Sequence, residues 1–190
     1  SIHVIEPSSR RTVEENREAV REEFLRIAEQ EGSGPLVVIA HSRGACDALA
    51  FALSEPEFVR DRVAAMFLVQ GPFGGTGLAD YVLGEGPSMD GRMPPGHRVL
   101  AHVLGRREKK LVRKGRHAGL ADLTRDAARD YWKQALDDHA DAVPVISPRV
   151  YFVEAETDPE DLRLFQRSMA RYLDTYDDDG TGMKDHHRPY

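Results

Sequence analysis

The stretch Pro35–Leu53, PLVVIAHSRGACDALAFAL, constrains this chain more than any other. Leu36 to Ala40 is an unbroken apolar run with the length and composition of a short buried strand. His41-Ser42-Arg43-Gly44 then supplies small and polar residues for a sharp turn. Ala45 to Leu53 follows, apolar on nearly every side, as a helix packed on more than one face must be. A strand that passes through a tight turn straight into a helix lifts its apex side chain above the sheet, and the apex here is Ser42. Strand and helix backbones come close at such a turn, so bulk two positions before or after the apex is expected to clash. Ala40 and Gly44 occupy those positions. The spacing predicts a strained backbone at Ser42, an exposed Oγ, and an Arg43 N–H at the helix start facing the same space. A donor so placed can stabilise negative charge developing on an oxygen. The Arg43 side chain is not required for that.

The segments around this stretch predict an α/β fold with a mostly parallel sheet and flanking helices. Ile2–Ile5 is a short apolar run closed by Glu6-Pro7 and is expected to be a buried strand. Thr12-Val13-Glu14-Glu15 is a capping box, and Val20, Phe24 and Ile27 form one apolar stripe of the helix behind it. Strand, amphipathic helix and buried strand make a βαβ unit, which implies a parallel pair. Glu55-Pro56-Glu57 breaks the second helix, and Val63–Val69 and Val150–Val153 are the next strands. A sheet that begins at residues 2–5 has one open edge, to be covered by further polypeptide or by a partner chain.

The loop Gln70–Gly77 is rich in glycine and lies at the carboxyl end of a parallel strand, where such folds place ligands. No Lys-Ser/Thr pair follows it, so it is not a phosphate loop of the Walker type. From Leu78 to Val143 no strong strand appears. A helix at Leu78–Leu83 and another after Asp122-Leu123-Thr124 are expected, the latter with Ala127, Tyr131, Ala135 and Leu136 on one face. This interval is too long for an ordinary connection. Residues 78–143 are therefore expected to form a helical cap inserted in a single domain spanning 1–190. Asp161–Tyr172 is amphipathic, and the polar tail beyond it holds Asp179, His186 and His187.

A net charge of −6 gives no global attraction to nucleic acid or anionic membrane. The basic run Arg106–Arg116 carries no interleaved aromatics, which argues against single-stranded nucleic acid. No apolar run is long enough to span a bilayer, and both cytoplasmic and exported locations stay open. Cys46 is the only cysteine, so no internal disulfide forms, and its place on the inner helix suits a small buried hydrophobe. The aspartates and histidines of the tail match no standard metal spacing, and no metal or cofactor is expected.

The segments VVIAHSRGA at 37–45 and FLVQGPFGGTGLAD at 67–80, with a weaker trace ADLT at 121–124, resemble the α/β-hydrolase superfamily, and within it the bacterial triacylglycerol lipases and related esterases. Ala40 departs from the glycine common at the first position of the serine turn. The resemblance implies that the strands at 2–5, 36–40, 63–69 and 150–153 correspond to the fourth to seventh of the family sheet. It places the earlier strands before Ser1, and the final strand with the triad histidine after Tyr190. It also implies a serine hydrolase with Ser42 as nucleophile and the Arg43 backbone N–H as oxyanion donor, cleaving small-molecule esters with a hydrophobic acyl group. Asp179 is one candidate acid, Asp158 is another, and Glu156 is a third. His186 and His187 follow all three in the chain order the family requires. Thioesterase or acyltransferase chemistry would use the same serine. A non-catalytic scaffold or binding module, or a fold completed by a partner chain, is the reading from a different class.

Overall fold

The computed structural model describes residues 1–32, 34–83 and 118–154. Helix α1 (Val13–Gln30) is followed by strand β1 (Leu36–His41), helices α2 (Arg43–Ser54) and α3 (Pro56–Arg62), and strand β2 (Val63–Val69). Then come α4 (Gly77–Leu83), α5 (Ala118–Ala121), α6 (Arg125–Asp138), α7 (Val143–Ile146) and strand β3 (Val150–Val153). The described strands form one parallel sheet in the order β1-β2-β3. Val38 pairs with Met66 and Ala40 with Leu68, and Leu68 in turn pairs with Phe152.

The core lies on one face of this sheet. Val38 and Ala40 of β1 and Met66 and Leu68 of β2 point toward α2, which buries Ala45, Cys46, Ala48 and the whole run Ala50–Leu53. Helix α1 starts at the capping box read from the sequence. Thr12 Oγ1 accepts from the Glu15 N–H at 3.0 Å, and Glu15 Oε2 accepts from the Thr12 N–H at 2.8 Å. The inward stripe of α1 brings Phe24 against Phe51, stacked at 4.5 Å between centroids, with Phe58 of α3 edge-on to Phe51 at 5.5 Å. This aromatic cluster joins three helices beneath β1 and β2. Helices α6 and α7 contribute Ala128, Trp132, Ala142 and Ile146 to the same core.

The structure corrects three expectations and extends a fourth. Ile2–Ile5 is not a strand, so no βαβ unit links it to β1. Ile2 and Val4 are 94% and 73% exposed, and only Ile5 packs on the core. Four residues carry too little pattern to fix a partner strand, and here His3 is engaged instead by Glu31, with Nε2 to Oε1 at 2.6 Å. Strand β1 is buried on one face rather than two, because among the described residues nothing covers Val37 and Ile39, 64% and 74% exposed. Pro56 does more than break α2. It sits in the first turn of α3, where its missing N–H and fixed φ suit a helix start. Finally, α6 turns Ala128 and Trp132 inward, with Tyr131 and Ala135 at the margin and Leu136 exposed. The bulk of the indole sets that rotation. No described helix is long and apolar enough to cross a membrane.

One polar contact crosses the α1–α2 interface. Asn16 and Asp47 are both fully buried, and Asn16 Nδ2 donates to Asp47 Oδ2 at 3.1 Å and to the Ser8 carbonyl at 3.0 Å. The other oxygens, Asn16 Oδ1 and Asp47 Oδ1, have no hydrogen-bond partner among the described residues. Burial pushes the Asp47 carboxyl up to about 6, against the opposing pull of the Arg43 guanidinium and the Asn16 hydrogen bond. A proton on Asp47 removes a buried charge and converts an orphan acceptor into a donor. Because the folded value lies above the ordinary 3.8, this contribution is complete below about pH 4 and is lost as pH rises through about 6. Asp47→Asn should therefore match the parent in urea-unfolding stability at pH 4. It should exceed the parent at pH 8 by about 1–3 kcal/mol. Equal pH dependence of the two proteins would contradict this account of Asp47.

Candidate active site

Ser42 has φ 53° and ψ −131°, between the last residue of β1 and the first of α2. A positive φ is rare for any side chain but glycine, and this combination is strained for serine. Two hydrogen bonds impose it. The Ser42 N–H donates to the Val69 carbonyl at 2.9 Å, carrying the β1–β2 ladder one rung past the strand. The Ser42 carbonyl accepts from the Ala45 N–H at 2.9 Å and opens α2. The residue is exposed, and its Oγ makes no hydrogen bond to any described residue. The N–H groups of Arg43 and Gly44 lie in the first turn of α2, where no carbonyl of the same helix can reach them.

The expectation of crowding around the serine holds in part. Ala40 packs on the core, but a Cβ on Gly44 would meet no described atom within 4 Å. The turn is made by hydrogen bonding and strand geometry, not by a tight fit at Gly44.

A second strained residue stands beside the first. Gln70, directly after β2, has φ 50°, and its N–H donates to the Val153 carbonyl at 2.8 Å. Its Oε1 lies 3.3 Å from His41 Nε2, so the side chains at the ends of β1 and β2 touch. The loop beyond Gln70 is pinned from the other side. The Thr76 N–H donates to the Leu123 carbonyl at 2.8 Å, and buried Asp80 receives both the Arg125 N–H at 3.1 Å and its Nε at 2.7 Å. Sequence reading passes over Gln70, because nothing in its residue type signals a left-handed backbone.

Of the residues singled out from the sequence, Ser42 and Arg43 stand together at the turn. Asp158, Asp179, Glu156, His186, His187 and the basic run Arg106–Arg116 lie outside the described residues. Among the described residues no histidine or carboxylate hydrogen-bonds to Ser42, and no three metal-ligating side chains gather at one point. His3 is held by Glu31 at the end of α1, before β1 begins. Cys46 is a buried packing residue, and desolvation pushes its thiol up to about 12, far from thiolate chemistry.

Comparisons agree with this geometry at the level of fold. A model of the alpha/beta hydrolase family matches residues 7–189. Among solved structures, the mature form of a Bacillus licheniformis lipase superposes with a TM-score of 0.56 at 14% identity, covering 87% of this chain and 57% of the lipase. The chain thus spans little more than half the length of that enzyme, and at this identity the likeness is one of fold. No curated protein matches in sequence. Family match, parallel sheet and the strand–turn–helix at Ser42 lead to one conclusion: this chain belongs to the alpha/beta hydrolase family.

Proposed function

We propose that the chain is a serine hydrolase that cleaves carboxylic esters through an acyl-enzyme at Ser42. The observation that carries this reading is the backbone of Ser42, held at φ 53° with its side chain exposed at the carboxyl end of β1. Strain of this kind persists where the surrounding structure enforces it, and it concentrates at reactive positions. Ser42 Oγ attacks the ester carbonyl, an Oγ–carbon bond forms as the carbonyl electron pair moves onto oxygen, and the return of that pair breaks the carbon–oxygen bond to the leaving alcohol. The Arg43 N–H, at the positive end of α2, donates to that oxyanion. A histidine takes the hydroxyl proton and returns it to the departing alcohol, and water repeats the sequence to release the acid. Asp179, Asp158 or Glu156 is the candidate acid that holds that histidine. Within the interval 78–143, Ala128, Trp132 and Ala142 belong to the core, and the rest of the interval is the proposed cap, over a hydrophobic acyl group. The reaction needs no cofactor.

A fluorophosphonate probe tests this directly. The folded chain should take up one adduct, mapped by mass spectrometry to Ser42, and Ser42→Ala should take up none. A folded chain that stays unlabelled while a control esterase reacts identifies a non-catalytic scaffold instead.

The open space at Gly44 supplies a companion prediction. Gly44→Ala adds a better helix former without a clash, so it should raise stability by about 0.5–1 kcal/mol in urea unfolding. Labelling at Ser42 should survive. Loss of folding in this variant would show that the turn depends on contacts other than those described.

A further inference from the structure

The Arg43 side chain occupies an unusual place. A cation in the first turn of a helix opposes the macrodipole, so solvent exposure would give it no advantage there. Arg43 is instead largely buried, at 13% side-chain exposure. Its Nη1 donates to the Gly119 carbonyl of α5, and its Nη2 to the Arg11 carbonyl ahead of α1. Asp122, just past α5, places Oδ2 4.0 Å from Nη2, and that same oxygen accepts the Val13 N–H at 2.7 Å. The Gly119 N–H closes the circuit by donating to the Arg10 carbonyl at 3.2 Å. Three segments distant in sequence thus meet on one guanidinium.

Gly119 is what makes the meeting possible. A Cβ at that position would overlap Arg43 Nη1 and the Arg11 carbonyl, and would stand 2.7 Å from the Ser9 carbonyl. The approach needs a residue without a side chain. A guanidinium is the matching partner, since its planar fork can donate to two carbonyls at once, which a lysine ammonium on a flexible stem does poorly.

We propose that the Arg43 guanidinium, clasped by the Gly119 and Arg11 carbonyls and Asp122, is a positioning residue that fixes the direction of the Arg43 backbone N–H beside Ser42. The proposal rests on the reading of Ser42 as nucleophile and extends it. The Arg43 N–H belongs to the peptide that joins the strained serine to the helix. Its direction follows from the Ser42 ψ and the Arg43 φ. Anchoring the far end of the Arg43 side chain to two other segments restricts that φ. A donor to an oxyanion is effective only if aimed before the charge develops.

The test uses Arg43→Met, which keeps the stem and removes the donors, and Gly119→Ala, which evicts the guanidinium and leaves Arg43 in place. In each, the saturation kinetics of fluorophosphonate labelling give a maximal rate and a half-saturating concentration. The maximal rate should fall about 10-fold to 100-fold in both variants, with half-saturation unchanged. The double variant should be no slower than the slower single one, because both remove the same clasp. If Arg43→Met fails to fold, Gly119→Ala carries the test alone. Backbone 15N relaxation supplies a readout independent of chemistry. The Arg43 and Gly44 order parameters should drop from the rigid range, while those of residues 48–53 hold. A wild-type chain that never labels but shows this drop in the variants would sink the hydrolase reading and leave the clasp standing. Variants that label at the parental rate with parental order parameters would overturn the clasp.

Discussion

The hydrogen bond from the Ser42 N–H to the Val69 carbonyl determines more of this structure than any other single contact. It keeps the chain in register with β2 for one residue longer than β1 itself. The Ser42 carbonyl must already serve the first turn of α2. Ordinary extended or helical dihedrals satisfy one of these bonds but not both, and φ 53° with ψ −131° is the solution adopted. Such a conformation costs about 1–3 kcal/mol. The offset comes from packing at a distance. Burying one side chain the size of Phe51 or Leu53 contributes about 2 kcal/mol, and both are fully buried in α2. The strain at the serine is held by a helix whose other end is locked into the core.

The parts of the fold that were legible in the sequence are those with a local period. The capping box at Thr12, the strands at 36–40, 63–69 and 150–153, and the helix after Ser42 each announce themselves within a few residues. Errors arose where a short signal has two physical meanings. Ile2–Ile5 has the apolar character of a strand, but a strand is defined by a partner, and its sequence names none. Pro56 is a breaker of the helix before it and a starter of the helix after it, and only the second role reveals α3. In α6 the apolar residues allow more than one face, and the volume of Trp132 decides among them.

The candidate site was legible to a different depth. Ser42 and the N–H that follows it come from contiguous residues, so a strand–turn–helix pattern is enough to find them. The contacts that hold them come from far away. Arg43 reaches Gly119, Asp80 reaches Arg125, and Asn16 reaches Asp47, with no spacing rule linking the members of any pair. The acceptor at Gly119 is a main-chain carbonyl, which every residue type carries and no sequence distinguishes. The one clue for Arg43 is negative. An arginine at a helix N-terminus opposes the dipole, and a residue placed against its electrostatic preference has its reason elsewhere in the fold.

Strands β1 and β2 end in the same way, and this repetition shapes the surface around the serine. Each strand gives the N–H of its next residue to a carbonyl of the neighbouring strand, Ser42 to Val69 and Gln70 to Val153, and each of those residues then adopts a positive φ. The carboxyl ends therefore form two adjacent steps, bridged by the contact of His41 with Gln70. The loop leaving the second step is fastened to Leu123 and the helix after it, through Asp80, to Arg125, while the guanidinium behind the first is fastened to Gly119. Residues 119–125 thus brace both steps from one side. A wall built this way positions the turn at Ser42 through backbone hydrogen bonds and buried ion pairs, which tolerate little displacement. That is the mechanical setting a strained, outward-facing hydroxyl requires.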